Sequence, residues 1–107
     1  MKHGLNGATV DRIRSVLATF SEVEKAILYG SRAKGAHKRG SDIDLALFGS
    51  DLDETILCRI SNALDDLLLP YKIDLSMFAN ISNPNLLGHI GRVGLVLYEK
   101  QSAIAKN

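Results

Sequence analysis

The sequence of 107 residues has few of the residue types that would mark several protein classes. Its single cysteine, Cys58, excludes an internal disulfide and lacks the spaced Cys or His neighbours of a zinc site, so we predict that it is a small core residue. No apolar run approaches the roughly 18 to 20 residues of a membrane-spanning helix. The N-terminus also lacks the apolar segment of a signal peptide. We therefore expect a cytoplasmic protein that does not bind membranes.

The sequence also lacks an excess of charge of either sign. Thirteen basic and twelve acidic residues give a formal net charge of +1, which offers no broad attraction to nucleic acid, so we expect no stable nucleic-acid binding. Any phosphate binding must come from a local cluster of charges. The hydrophobic content of 46% is typical of a globular protein, and the length fits one domain, residues 1–107, with its core at about 9–99.

Hydrophobic spacing and turn residues predict an α/β (α+β) fold, a small mixed β-sheet flanked by helices. The predicted strands cover residues 23–29, 42–48, 71–78 and 95–98. The predicted helices are one capped by Thr9 and ending near Ser21, a short one within residues 31–34, one beginning at Asp53 and Glu54 and stopped by Pro70, and one beginning at Asn83 and Pro84 and ending at Gly91 or Gly94.

Two aspartates stand at the start of the second predicted strand. Residues two apart on a strand project to the same side, so Asp42 and Asp44 share one face while Ile43, Leu45 and Leu47 share the other. Two carboxylates held so close repel each other unless a cation lies between them. Hard oxygen donors without His or Cys neighbours suit Mg²⁺. The pair is therefore a candidate metal site.

A third aspartate and a glycine-serine turn complete the candidate site. Asp74 lies in the third predicted strand, and it converges with Asp42 and Asp44 if the two strands are neighbours. Gly30 and Ser31 end the first strand where a helix begins, and free backbone N–H groups at such a turn attract phosphate oxygens. The segment that follows is basic, which makes a triphosphate the natural ligand. Its cationic residues are Arg32, Lys34, Lys38 and Arg39.

The spacing of these residues resembles a known family. Gly30-Ser31, ten intervening residues and then Asp42-Ile43-Asp44 is similar to the defining motif of the DNA polymerase beta-like nucleotidyltransferase superfamily. The nearest resemblance is to the minimal nucleotidyltransferases, for which Lys72-Ile73-Asp74-Leu75 matches the strand of the third aspartate. The resemblance covers about residues 9–99, and it implies the nucleotidyltransferase fold.

The resemblance also implies roles for individual residues. The acids matching Asp42 and Asp44 would bind magnesium, two ions in all, and Asp74 would complete the site as a further ligand or as a base. Gly30 and Ser31 would hold the phosphates of ATP or another NTP, with Arg32 and Lys34 as candidate nucleotide contacts. A hydroxyl would attack the α-phosphate, and pyrophosphate would leave.

The resemblance further implies a partner. Many members of the family are antitoxins paired with a HEPN-domain toxin, and some attach AMP to a tyrosine of that toxin. The expectation is thus a protein adenylyltransferase acting as a type VII-like antitoxin, in a hetero-oligomer or a homodimer. Alternatives are a non-catalytic module that masks a helical partner and, less favoured, a transferase that modifies a small antibiotic. DNA polymerisation is least favoured, because the chain has no extended basic surface for a template.

Each motif taken alone has an ordinary structural explanation. A Gly-Ser dipeptide ends strands in unrelated folds, and an Asp-x-Asp strand can be a solvated face. Arg32 and Lys34 can be solvated charges on a short helix. The histidines His3, His37 and His89 lack metal-ligand spacing and are predicted to be surface or packing residues, and among them only His37, within the basic segment, is placed to touch a substrate.

Overall fold

The computed structural model describes Leu5, residues 7–30 and residues 42–100. No helix within this part of the chain is long and apolar enough to cross a membrane. The predicted short helix at residues 31–34 lies outside the described residues. The helices are α1 (Gly7–Ala18), α2 (Glu54–Asp65) and α3 (Pro84–Val93), with a 3-10 helix at Phe78–Asn80. The strands are β1 (Lys25–Tyr29), β2 (Ile43–Phe48), β3 (Ile73–Met77) and β4 (Leu95–Glu99).

The described strands form a mixed sheet in the order β3-β2-β1-β4. β1 runs antiparallel to β2 and β4, whereas β2 and β3 are parallel. In this register Asp44 lies opposite Asp74 on one side and opposite Tyr29 on the other. The predicted α/β fold with a small mixed sheet is confirmed, and the condition under which Asp74 would lie near Asp44, that their strands are neighbours, is met.

One face of the sheet forms the main core with α1 and α2. The alternation predicted for β2 holds, since Ile43, Leu45 and Leu47 are at most 1% exposed. Burial of such a side chain stabilises the fold by about 1.5 to 3 kcal/mol, which fixes the register of β2 because a slip by one residue would expose all three. The helices contribute their apolar stripes to the same core. These stripes are Val10, Ile13 and Leu17 of α1 and Ile60 and Leu64 of α2.

The opposite face of the sheet is covered in part by α3. Ile90 of this helix packs with Tyr29 and Ala46, and all three are buried. The helix ends at Gly94, where a Cβ would approach Ile27 Cγ2 to 2.6 Å, so glycine lets the chain turn tightly against β1. Ala46 is fully covered, whereas Asp44, two residues earlier on the same face, is only half-buried. Asp44 therefore marks the border between core and solvent on this face.

Two predicted helix starts are confirmed in atomic detail. The Asp53 carboxylate accepts a hydrogen bond from the Ile56 amide at 2.8 Å, which caps α2. The Asn83 side chain accepts from Asn85 N at 2.8 Å, and Pro84 occupies the first turn of α3. A side-chain oxygen at this position satisfies an amide that has no partner within the helix.

Other local predictions are wrong. Thr9 is not a cap, because α1 begins two residues earlier at Gly7 and Thr9 is buried within the helix. Cys58 is exposed rather than in the core. It follows Ile56 by two residues on α2, a rotation of about 200° that carries it away from the stripe through Ile60. The bounds of three elements also differ from those predicted. α1 ends at Ala18 instead of near Ser21, β1 begins at Lys25 instead of residue 23, and β3 spans Ile73–Met77 instead of residues 71–78.

Candidate active site

Two aspartates lie side by side on the half-covered face of the sheet. The parallel register of β2 and β3 pairs Asp44 with Asp74, so residues 30 positions apart in sequence occupy adjacent places. Both side chains are half-buried. Asp42 directly precedes β2, is exposed, and is two residues from Asp44. The strand pairing thus gathers carboxylates from two segments of the chain at one end of β2.

The surroundings of Asp44 disfavour its ionised form. Its pKa is raised above 3.8, first because burial removes solvent from the carboxylate and then because the charges of Asp74 and Asp42 repel it. His89 acts in the opposite direction and lowers the pKa. A carboxyl held beside like charges in a partly desolvated position gains from any cation that comes between them. This electrostatic setting makes the cluster a candidate metal site.

Asp74 has a nearby cation in Lys72. Lys72 Nζ lies 3.8 Å from Asp74 Oδ1, and the two side chains are 73% and 44% exposed. A pair so open to solvent contributes at most about 1 kcal/mol and is easily exchanged for another partner. The Asp74 carboxylate is therefore accessible from solvent and is not fixed by a buried ion pair.

The carboxylates fit Mg²⁺ by their chemistry. Hard carboxylate oxygens, with mutual repulsion that a cation would relieve, are the donor set that Mg²⁺ prefers. Over Leu5, residues 7–30 and residues 42–100, however, no three His, Cys, Asp or Glu side chains stand close enough together to hold a metal ion in their present conformations. The charges of Asp42 and Asp74 act on Asp44, so the three carboxylates are neighbours, but their present side-chain conformations do not form a three-ligand metal group among the described residues. The metal site stays a prediction.

Gly30 is the last described residue before the basic segment, and it adjoins Asp44. Its φ of +81° is a conformation that favours glycine. A Cβ on Gly30 would collide with Asp44 Oδ2, so the turn backbone reaches the carboxylate only because the side chain is absent. The Gly30 amide donates a hydrogen bond to His89 Nε2 at 3.0 Å. Gly30 therefore allows the backbone to approach Asp44 closely, while its N–H group is already hydrogen-bonded to His89.

His89 is a site residue that sequence reasoning missed. Its ring meets Tyr29 edge to face, with centroids 6.4 Å apart and planes at 78°, and its Nε2 accepts from Gly30. A signal for this position exists in the sequence, because His89 follows Leu86 by three residues and so lies beside the inward stripe of α3. The contact with Gly30 is not predictable from that spacing.

Several predicted contacts lie outside the described residues. They are Ser31, Arg32, Lys34, Lys38 and Arg39, together with His37 and His3. Their assignment to nucleotide binding stays a prediction. Of the predicted site residues, the structure brings together Gly30, Asp44 and Asp74, with Asp42 close enough to act on Asp44 by its charge.

Comparison with known proteins places this geometry in a family context. The family model described as Polymerase beta, Nucleotidyltransferase matches residues 11–103. A curated relative named "Probable protein adenylyltransferase MntA", from Haemophilus influenzae, is 34% identical over 79 residues, which are 73% of this chain and 68% of that protein.

Solved structures share the fold. A crystal structure of a toxin-antitoxin with AMP-PNP contains a chain that is 26% identical, with a TM-score of 0.69 over 86% of this chain and 74% of that one. A tri-AMPylated Shewanella oneidensis HEPN toxin in complex with MNT antitoxin contains a chain that is 22% identical, with a TM-score of 0.65 over 88% of this chain and 72% of that one. The second likeness shows the fold alone. The predicted nucleotidyltransferase fold is thereby confirmed, and because the family match covers nearly the whole sequence, the chain belongs to the Polymerase beta nucleotidyltransferase family.

Proposed function

We propose that this nucleotidyltransferase moves AMP from Mg·ATP onto a tyrosine hydroxyl of a HEPN-domain toxin and so acts as an antitoxin. The observation that carries the proposal is the pairing of Asp44 with Asp74 beside the Gly30 turn, whose backbone comes so close to Asp44 that a Cβ on Gly30 would collide with its carboxylate. The curated relative is named a protein adenylyltransferase, and one related structure is a toxin-antitoxin with AMP-PNP. Both names agree with a nucleotide donor and a protein acceptor.

The residues divide the chemistry between them. Asp42 and Asp44 would hold magnesium, which when bound neutralises charge on the phosphates and on the leaving pyrophosphate. Asp74 would serve as a further ligand or as the base that takes the proton from the attacking tyrosine hydroxyl. The new bond joins the tyrosine oxygen to the α-phosphorus, the bond from the α-phosphorus to the bridging oxygen breaks, and pyrophosphate leaves. The Asp74 side chain is 44% exposed, so it can contact an acceptor that arrives from solvent.

The turn and the basic segment would bind the donor nucleotide. Gly30 gives the turn its close approach to Asp44, and Ser31 would place a hydroxyl and a backbone amide toward the phosphates. Arg32 and Lys34 would add positive charge. Since the Gly30 amide donates to His89, phosphate contacts from the backbone are expected from residues after Gly30.

Transfer of label from ATP tests the proposal directly. With ATP labelled on the α-phosphate, Mg²⁺ and the toxin partner, we expect label on the toxin, and with the label on the γ-phosphate we expect none. Mass spectrometry of the product should locate AMP on a tyrosine, and a chelator should abolish transfer.

Asp42→Ala combined with Asp44→Ala should remove the transfer. The matched control is Asp11→Ala combined with Asp51→Ala, which changes the net charge equally at two exposed positions outside the site. Labelling that survives in the site variant would refute the assigned residues. If the site variant still protects cells from the toxin without labelling it, the non-catalytic masking function is the better explanation.

A further inference from the structure

His89 is held in a fixed place above the end of β1. The helix that carries it is capped by Asn83, and Ile90, the next residue, is 5% exposed against the sheet. At the other end, the Gly94 amide donates to Ile90 O at 2.9 Å, and Gly94 lies against Ile27 of β1. The position of the imidazole is therefore determined by helix packing, and it does not depend on an exposed loop.

The hydrogen bond from Gly30 identifies the nitrogen of the ring that contacts the turn. The Gly30 amide donates to His89 Nε2 at 3.0 Å. The edge of the ring also contacts Tyr29, the residue before Gly30. Two consecutive residues at the end of β1 thus touch the same side chain.

Gly30 is constrained from two sides. Asp44 Oδ2 occupies the space that a Cβ would need, and His89 Nε2 binds the amide. These contacts fix where the chain leaves β1 and hence where the residues after Gly30 begin. A shift of that starting point by about 1 Å would misplace phosphate-binding groups relative to the acids, and misplacement on this scale is costly in enzymes.

We propose that His89 is a positioning residue that sets the nucleotide-binding turn by accepting the Gly30 hydrogen bond, an inference that rests on the proposed function. In this role His89 acts through Gly30. The competing explanation is that the ring only packs against Tyr29. The two explanations differ in whether the acceptor nitrogen matters.

Two substitutions separate these explanations. His89→Phe keeps an aromatic ring against Tyr29 and removes the acceptor, whereas His89→Gln loses the ring but can present Oε1 near the position of Nε2. If His89 positions the turn, His89→Phe should raise the KM for Mg·ATP about tenfold with little change in kcat, because one partly buried donor loses its partner. His89→Gln should restore most of the loss.

Hydrogen exchange of the Gly30 amide gives a readout that does not need activity. In two-dimensional NMR, the Gly30 amide should exchange about tenfold faster in His89→Phe than in wild type and should be protected again in His89→Gln. Faster exchange together with a raised KM, both reversed by glutamine, supports the proposal.

Three results would overturn it. They are unchanged exchange in His89→Phe, faster exchange with an unchanged KM, and equal impairment of both variants, which would indicate packing alone. A wild-type protein that neither binds Mg·ATP nor transfers AMP, yet shows the protected Gly30 amide, would instead refute the proposed function and reduce the His89 contact to a structural one.

Discussion

Substituting Asp44 with asparagine is expected to lower AMP transfer by roughly 10³-fold, the scale seen when one preorganised charged or polar group is removed from an active site. Asp44 lies between Asp74 and the Gly30 turn, so its loss removes the carboxylate shared by the proposed metal and nucleotide sites. Asparagine has the same shape and leaves the buried part of β2 intact. The measurement is the rate of label transfer at saturating Mg·ATP.

The same substitution is expected to stabilise the metal-free protein. The pKa of Asp44 is raised in the folded state above 3.8, so the folded protein holds that proton more tightly than the unfolded chain does. Stability is therefore lost as the pH rises from 3.8 through the raised folded-state pKa of Asp44, and the loss is complete above that pKa. Asparagine removes this loss of stability. Because the side chain of Asp44 is partly exposed, we expect the melting temperature to rise by only about 2 to 4 °C.

The control for this prediction is Asp51→Asn, which neutralises an exposed acid outside the site. It should leave both transfer and melting temperature close to those of wild type. An Asp44→Asn protein that is less stable than wild type at neutral pH without metal would contradict the repulsion described for this site. Retained transfer would contradict its catalytic assignment.

Replacing Gly30 with alanine should damage both the fold and the activity. The φ of +81° and the collision of a Cβ with Asp44 Oδ2 should together cost about 1 to 3 kcal/mol of stability. Whichever group moves to relieve the collision, the turn and the carboxylate separate, so transfer should fall about a hundredfold. Denaturant unfolding and the label-transfer rate measure the two effects.

Gly91→Ala is the matched control for this change. A Cβ at Gly91 meets no atom within 4 Å and lies in α3, where alanine is favoured over glycine by up to about 1 kcal/mol. This variant should be at least as stable as wild type and fully active. A Gly30→Ala protein that behaves like Gly91→Ala would show that the close approach of the turn to Asp44 has no functional role.

The parts of the fold that could be predicted from sequence depend on local rules. The alternation in β2 and the helix starts at Asp53 and Asn83 involve residues within four positions of each other, and all are found as predicted. The prediction that Thr9 caps α1 is wrong because threonine, a common capping residue, also occurs within helices. The prediction that Cys58 lies in the core is wrong because it followed from the residue type, whereas the position of Cys58 on α2 directs it away from the buried stripe.

Only those residues of the candidate site that belong to a motif of fixed spacing could be predicted from the sequence. The parallel pairing of Asp44 with Asp74 could be stated from sequence only as a condition, since strand order is set by packing of the whole sheet. The hydrogen bond between Gly30 and His89 joins residues 59 positions apart. It depends on how α3 packs against β1, which no local sequence pattern encodes. Residue spacing, and then the family resemblance, identified the acids, whereas the contact of His89 with the turn is visible only in the structure.

The most direct test of the central claim is a double-mutant cycle on Mg·ATP affinity with Asp44→Asn and Asp74→Asn, measured by calorimetry on the single and double variants. If the two carboxylates serve one magnesium nucleotide, the losses should be strongly non-additive, with a coupling of at least about 1 kcal/mol. Asp44→Asn combined with the distant Asp11→Asn should be additive. Additive losses for Asp44 and Asp74, within about 0.5 kcal/mol, would contradict a shared site.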